Sequence, residues 1–590
     1  MKLILSLLLV LSLTAGLSAQ HKSTKVDKNS YAKLGPDTFV ENNSIQILNA
    51  PFLPGFSNGD YTVGPEIETS LSGWYDYMTN GDAKHYILMD PTNPLLLHAI
   101  YTTSDAGDPA GTTSRRTKYA GSSDGGLTWV FLSNVPDIRS GFGYMALKSD
   151  GSAVVTNHNT VSGALNGELY VDIAAQVGGF STYLTPRTNG SGAWPQSNVM
   201  TNGNIFLTSE SYSGGAATDT LKIAIFDGTT TTPWNYLNYP GGPTNNMRWC
   251  SATGTNGNVV VAIDPVALTN VMGSNEITAF KSTDNGLTFG SPITLFTPFV
   301  SGVDTITAFF GLDIAFKPGT SDYYFAYNTS NGFYKGATMW VSKNGGSANR
   351  VADSNNVPNT TTLPTGGWAG IIGIDHPSIG WSADGNVMYC AYSVATADTG
   401  ARGWNTRDVF LSCSTNDGVT WNAPIRVTNT PLIDEGYVSI SRVNPGTSPS
   451  TYEVHMVYMK DPGDGPSSFN GTATVMPATQ NWLIYRKISQ PTVGVNQTST
   501  EVPSNFSLSQ NYPNPFNPTT NIKFAVSKAG FVSLKIYDIS GREVSSLVNE
   551  NLTVGSYSYT FDASKLSSGI YFYTMRSNNF TDTKKMMLIK

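Results

Sequence analysis

Three octapeptides constrain this chain more than any other feature: SSDGGLTW from Ser122 to Trp129, STDNGLTF from Ser282 to Phe289, and STNDGVTW from Ser414 to Trp421. Each opens on a serine (Ser122, Ser282, Ser414), continues to a short polar side chain (Asp124, Asp284, Asn416) and a glycine (Gly126, Gly286, Gly418), and ends on an aromatic (Trp129, Phe289, Trp421). A short polar side chain accepts backbone N–H bonds and glycine takes positive φ, so each octapeptide reads as a tight hairpin turn. The aromatic is then placed to open the next strand and pack on the sheet. A shorter version, SKNGG, starts at Ser342. Hairpins that recur along a chain predict a repetitive all-β body. Composition agrees, because charged residues make up only 13% while Gly 58, Tyr 29 and Phe 26 supply turns and pleated surfaces.

A longer unit surrounds the octapeptides. HPSIGWSADGNVMYCAYS followed by RDVFLSCSTNDGVTW shows it whole: strand, polar turn, strand, loop, and a strand running into the octapeptide. Comparable first strands begin near His85, Gly143, Asn198, Trp249, Phe310, His376 and Tyr437, roughly 50–65 residues apart, as in known arrays of β-repeats. The octapeptides resemble the Asp-box, or bacterial neuraminidase repeat, of sialidase-like propellers. That resemblance implies a seven-bladed β-propeller over residues 69–490, with six blades as the alternative, and places the box between the two outer strands of a blade, away from the binding face. The segment 20–68 is expected to lead in or to complete a blade by closing the ring.

Beyond Val502 the texture changes. NYPNPFNPTT, Asn511 to Thr520, holds three prolines in ten residues, and 491–515 reads as a stiff, non-helical linker. After it Ile522, Phe524 and Val526 alternate with polar residues, as do Val532, Leu534 and Ile536, and SYSYTF and IYFYTM follow. Residues 516–590 therefore read as an immunoglobulin-like β-sandwich. The blocks NYPNPFNPTT, IYDISGREV, SSGIYFYTM and KMMLIK resemble the type A sorting domain of type IX secretion cargo. The resemblance implies recognition of this tail by the secretion machinery at the outer membrane and a protein released or held at the cell surface.

The other end is consistent with export. Residues 1–19 carry Lys2, an apolar run from Leu3 to Leu13 and small residues up to Ser18 and Ala19, the pattern of a signal peptide. The formal net charge of −7 argues against a nucleic-acid surface. It is uneven: from Pro503 onward nine Lys or Arg face five Asp or Glu, so the tail is positive and the body acidic. Cys250, Cys390 and Cys413 are too few for a disulfide framework or a CxxC metal site. Cys390 and Cys413 fall on neighbouring strands and could pair, with buried free thiols the expected state.

Ligands of such repeats bind where the first strands start, which makes Arg139, Asn246, Arg248, Trp249, Asp375, His376, Asp434, Glu435 and Tyr437 the candidates. Arg248 beside Trp249 would grip a carboxylate and stack a sugar ring, and Asp375 would orient His376. No cofactor is implied. Calcium is conceivable at Asp461 and Asp464 in KDPGDGPSS, and a solvated turn explains them equally. Two functions follow: an extracellular module that binds glycan or protein, and a glycoside hydrolase. Sialidases clamp their substrate with three arginines, for which Arg139, Arg248 and Arg442 are present, but the Phe/Tyr-Arg-Ile-Pro motif that carries the first of them is missing. The binding module is the expected function. The segment from Asp353 to Gly370 reads as a loop overhanging the site.

Overall fold

The computed structural model describes residues 61–76, 78, 85–160, 165–186, 191–213, 216–237, 247–265, 276–301, 304–330, 337–358, 373–400, 405–446, 452–463, 478–489, 496–499, 503–563, 566–577 and 579–589. The expected signal peptide, most of the lead-in, most of the loop after Asp353, Asn246 and Asp464 lie outside these residues. Among the described residues the protein is all-β, with nine sheets of almost wholly antiparallel strands and one short 3-10 turn at Thr255–Gly257.

Seven sheets follow one another along the body. What we call their first strands are Ile87–Met89, Ser140–Leu147, Ser191–Val199, Met247–Thr253, Asp304–Phe316 (with the short Phe299–Ser301 paired along its outer edge), Ile374–Ser382 and Asp434–Ile440, and we number the sheets 1 to 7 in that order. Each first strand adjoins the next, and the first strand of sheet 7 adjoins that of sheet 1. Six of the seven begin two to seven residues before the point expected from the sequence; in five of these, all but that of sheet 4, a bulge described below interrupts the apolar alternation near the start. Every neighbouring pair of sheets shares a buried apolar seam. Val154 and Leu207 belong to the seam between sheets 2 and 3, Phe206 and Val261 to that between 3 and 4, and Val260 and Phe325 to that between 4 and 5. Tyr324 and Ile379, then Tyr389 and Tyr458, continue the series, and Leu483, Ile100 and Val155 join sheets 7, 1 and 2.

Sheet 7 draws on both ends of the body. Asp434–Ile440, Glu453–Asp461 and Asn481–Ser489 are joined by Ile67–Gly73 and Thr62–Val63, which pair antiparallel with Asn481–Ser489. The Thr69 hydroxyl donates to the Leu483 carbonyl at 2.8 Å across 414 residues of chain. Glu66 fastens the same segment by accepting from Tyr458 Oη at 3.0 Å, from Arg486 at 3.2 Å and from Lys460. Glu435 lies against this cluster, fully buried, with its Oε1 3.7 Å from Lys460 and accepting from Thr430 at 3.1 Å. Burial raises its carboxyl to about 7, against the pull of Lys460.

The three octapeptides fold alike and join the third strand of a sheet to the fourth. In the first, Ser122 Oγ donates to Asp124 Oδ1 and accepts from the Gly126 N–H, both at 2.9 Å, while Asp124 accepts from the Thr128 N–H at 2.9 Å. The second and third repeat these bonds around Ser282 and Ser414. Gly126, Gly286 and Gly418 have φ of 92°, 77° and 76°. Each turn leans on the preceding sheet: Trp129 packs on Tyr485 of sheet 7 with ring centroids 5.4 Å apart, Phe289 lies near Phe206 of sheet 3, and Gly418 near Val341 of sheet 5. Only Trp129 directly precedes its fourth strand; Phe289 and Trp421 stand a few residues short of theirs.

Cys390 pairs with Ser412 and Cys413 with Tyr389, so neighbouring cysteines point to opposite faces of sheet 6 and sit in different seams. All three cysteines are buried and none is disulfide-bonded, and burial pushes the Cys413 thiol up to about 12.

The C-terminal module consists of two four-stranded sheets around one core. Thr519–Val526 and Gly555–Asp562 belong to the first, and Gly530–Tyr537, Glu543–Leu552, Gly569–Ser577 and Phe580–Leu588 form the second. Ile522, Phe524, Val526, Val532, Leu534 and Ile536 all face that core, as their alternation requires. The proline-rich run is part of the module rather than a connector. Phe516 is buried in the core, its N–H donating to Met587 O, and the Asn511 N–H donates to Tyr573 Oη at 2.7 Å. Strands at Asn496–Ser499 and Ser507–Leu508 also join the first sheet, so the module begins ahead of residue 516.

Two outcomes test these contacts. A Cβ at Gly126 would lie 2.2 Å from the Tyr485 ring at a φ of 92°, so Gly126→Ala is expected to cost about 2 kcal/mol or more. Gly203→Ala, also at positive φ but facing open space, is expected to cost less, and the difference in thermal midpoint reads the contact with sheet 7. For Glu435 the folded protein holds its proton more tightly than the unfolded chain, whose ordinary value is 4.5. Stability is therefore expected to fall as pH rises from about 4.5 to 7 and to level off above. Glu435→Gln should flatten that part of the thermal-midpoint profile.

Candidate functional site

The first strands do not run straight. In sheets 2, 3, 5, 6 and 7 the ladder to the second strand skips at Gly141/Tyr144, Ala193/Gln196, Ala308/Leu312, Asp375/Ser378 and Gly436/Ser439. A residue of positive φ sits in each gap: Phe142 at 55°, Trp194 at 48°, Gly311 at 148°, His376 at 49° and Tyr437 at 54°. Bulges re-aim side chains. Left-handed backbone at a residue other than glycine costs of order 1 kcal/mol or more, a strain that concentrates at functional positions. Three aromatics and a histidine thus occupy equivalent places near the starts of four first strands.

At sheets 6 and 7 these residues meet buried charges. Asp375 Oδ1 stands 2.7 Å from His376 Nδ1. With Nδ1–H donated to the carboxylate, Nε2 carries the lone pair, and no described residue engages it. The His376 and Tyr437 rings meet edge to face with centroids 4.8 Å apart. Arg407, on Asn405–Ser414, forms a buried fork with Asp434: Nε to Oδ1 at 2.9 Å and one terminal nitrogen to Oδ2 at 2.6 Å. Its guanidinium also lies 4.6 Å from the Tyr437 ring centroid. Gly436 makes room, since a Cβ there would sit 2.4 Å from Arg407 Cζ. Asp461 accepts from the Gly463 N–H at 2.8 Å and from Thr479. Burial, then the Asp76 carboxylate, raises Asp461 to about 7, with Asp434 adding to the effect.

At sheets 1 to 3 the second group is aromatic and cationic. Arg115 is buried and donates to Ser140 O at 3.0 Å, to Tyr75 Oη at 3.2 Å and toward His158 Nε2 at 3.2 Å. Its guanidinium lies 5.2 Å from the Tyr75 ring centroid and 5.0 Å from that of Phe142. No carboxylate of the described residues pairs with it. Trp194, partly exposed, lies edge to face with His158 at 5.7 Å. Arg139 donates to Gly111 O at 2.9 Å; burial and the charge of Arg115 hold it below the usual guanidinium range. The two groups share one end of the sheets, because Tyr75 adjoins Asp76 and Asp76 acts electrostatically on both Asp461 and Tyr101, whose hydroxyl donates to Asn481 at 2.5 Å.

The structure therefore brings Asp375, His376, Asp434 and Tyr437 together and sets Arg139 beside the aromatic group. Glu435 points away from this group, into the closure cluster. Trp249 is not available to stack a sugar: it is 1% exposed in the seam between sheets 3 and 4, with Nε1 donating to Thr208 Oγ1 at 3.0 Å. Adjacent strand residues face opposite sides, so Arg248, opposite Asp264, cannot share its surface. Arg442 is engaged elsewhere, donating to Asp313 at 2.5 Å and to Ile379 O at 2.7 Å and contacting His85. The three arginines thus form no common clamp. Sequence reasoning missed Tyr75, Arg115, Phe142, His158, Trp194 and Arg407. Lining up SGFGY, SGAWP, IDHPS and DEGYV would have exposed Phe142 and Trp194; Arg115 and Arg407 carry no local signal.

Comparison with curated proteins yields no match. Among solved structures the chain is similar to an ulvan lyase of polysaccharide lyase family PL25 at 10% identity and a TM-score of 0.43, over 68% of this chain and 94% of that one. It is also similar to the polysaccharide lyase Uly1 at 10% identity and a TM-score of 0.41, over 72% and 99% of the two chains. A glycosyl hydrolase from Bacteroides ovatus aligns at 11% identity and a TM-score of 0.26, over 48% of this chain and 94% of that one. These are polysaccharide lyases and a glycosyl hydrolase, not specifically sialidases. Among the described residues no helix is long and apolar enough to cross a membrane. Residues 510–590 match the secretion system C-terminal sorting domain, which marks the chain as a cargo of type IX secretion, bound for the medium or the cell surface.

Proposed function

We propose that the seven consecutive sheets are the blades of one β-propeller and that the end bearing Phe142, Trp194, His376 and Tyr437 binds an acidic glycan outside the cell. The observation that carries this reading is the Arg115 guanidinium, buried between two aromatic rings and paired with no carboxylate of the described residues. An uncompensated buried charge is costly, and the ring faces offset only part of that cost. A carboxylate or sulfate on a sugar completes the arrangement through the fork geometry that guanidinium groups favour. Arg139 adds a second positive charge, and the partly exposed Trp194 offers a face to the sugar ring. Export supplies the occasion, since the chain meets glycans at the cell surface or in the medium.

A second reading, a glycoside hydrolase, is favoured by one arrangement: His376, oriented by Asp375 with Nε2 uncommitted, shares its end of the sheets with Asp461, whose carboxyl stays protonated up to about 7. An oriented imidazole and a carboxylic acid still protonated near neutral pH are the pair that proton transfer at a glycosidic bond requires.

Two measurements check these readings on the full chain. On a glycan array, binding is expected to favour uronate-bearing or sulfated glycans over neutral ones and to weaken about tenfold or more, or about 1.4 kcal/mol, in Arg115→Ala; equal binding to neutral glycans would sink the reading. In a hydrolysis screen over several pH values, turnover lost in His376→Ala with binding retained would establish the enzyme. No turnover with wild-type protein would leave the binding module.

A further inference from the structure

The two outer faces of the C-terminal module differ in chemistry. On the first sheet, register sets Asn521, Lys523 and Ala525 of Thr519–Val526 beside Ser556 and Ser558 of Gly555–Asp562 and Ser507 of the edge strand. That face carries no described apolar side chain larger than alanine. On the second sheet, Tyr537 pairs with Phe572 and Phe572 with Lys585, while Ile570 pairs with Met587 in the next outward row. Ile539, just past the end of its strand, is 79% exposed, Ile570 and Met587 are each 37% exposed, and Ile589 is 50% exposed. Farther along the same face Ser533 pairs with Arg576. Both Lys585 and Arg576 are exposed, and neither forms an ion pair among the described residues.

Scattered exposed apolar residues need no explanation, but contiguous ones rimmed by charge mark an interaction site. Here they gather on one of two faces of a module matched to sorting domains. We infer that the outer face of the second sheet, centred on Phe572, Ile570 and Met587 and rimmed by Lys585 and Arg576, is the surface that docks on a protein of the secretion machinery. The partner presents an apolar hollow with an acidic rim. The apolar centre supplies affinity, and the unpaired cations supply orientation and encounter rate. A protein fits better than a lipid surface, because the cations stand at the edge of an ordered aromatic and aliphatic grid instead of forming a continuous basic field.

The test is export of the full chain from a host with a type IX system, read as the ratio of protein in the medium and on the surface to protein retained in the periplasm. Phe572→Ser with Met587→Ser is expected to lower that ratio about tenfold, whereas Lys523→Glu on the opposite face leaves it unchanged. Should the first variant fail to fold, Lys585→Glu with Arg576→Glu, which alters only exposed charges, is expected to lower the ratio as well. Undiminished export of the charge-reversed chain, or of a folded Phe572→Ser/Met587→Ser chain, would overturn the proposal. Vesicles of anionic lipid provide the remaining arm. Binding that is lost on charge reversal while export stays intact would assign the face to the membrane and also overturn it.

Discussion

The body depends on a pairing between residues that are far apart in sequence. Ile67–Gly73 completes the sheet to which Asn481–Ser489 belongs, so the last sheet is finished by the start of the body. Without that strand, sheet 7 would expose an edge of unpaired amides and carbonyls, and its seam with sheet 1 would lose one wall. Glu66 reinforces the join with three donors from sheet 7. Loop closure grows costlier only logarithmically with length, which makes so distant a pairing tolerable once seven seams share the gain. The aromatic and cationic end described above is held in place by this closure, because Tyr75 and Asp76 lie just past the closing strand.

The octapeptide turns give the same body its repetition. Their serine, carboxylate or amide, and glycine settle the hairpin locally, while the glycine and the aromatic also touch the preceding sheet. One short sequence therefore encodes both a turn and an interface between sheets. That double duty is why Gly126 is confined: its left-handed backbone and the Tyr485 ring each exclude a side chain.

Legibility followed the range of the interactions. The turns were readable because the bonds that shape them, from serine to the short polar residue and glycine and from that polar residue to threonine, lie within eight residues, and the strands of the C-terminal module were readable because Ile522, Phe524 and Val526 alternate as a half-buried strand must. First strands were misplaced at their starts, since the bulge at Phe142, Trp194, His376 or Tyr437 breaks the alternation that marks a strand. The run from Asn511 to Pro518 looked like a connector because prolines interrupt any pattern, yet Phe516 fills the core. Trp249 was misjudged because an aromatic beside an arginine reads as a sugar platform until the strand's two faces are assigned. Arg115 and Arg407 gave no signal at all. What distinguishes them is which rings and carboxylates surround them, and those neighbours come from other strands.

Closure of the body by its own beginning also sets an order of events. During synthesis Ile67–Gly73 emerges early and its partner Asn481–Ser489 almost last in the body, so sheet 7 stays unfinished until nearly the whole body is available. The sorting module follows that partner within a few residues. Completion of the body and presentation of the module to its receptor thus fall close together in time. A chain truncated before Asn481 would lack both, leaving sheet 7 with an unpaired edge and the protein with no address.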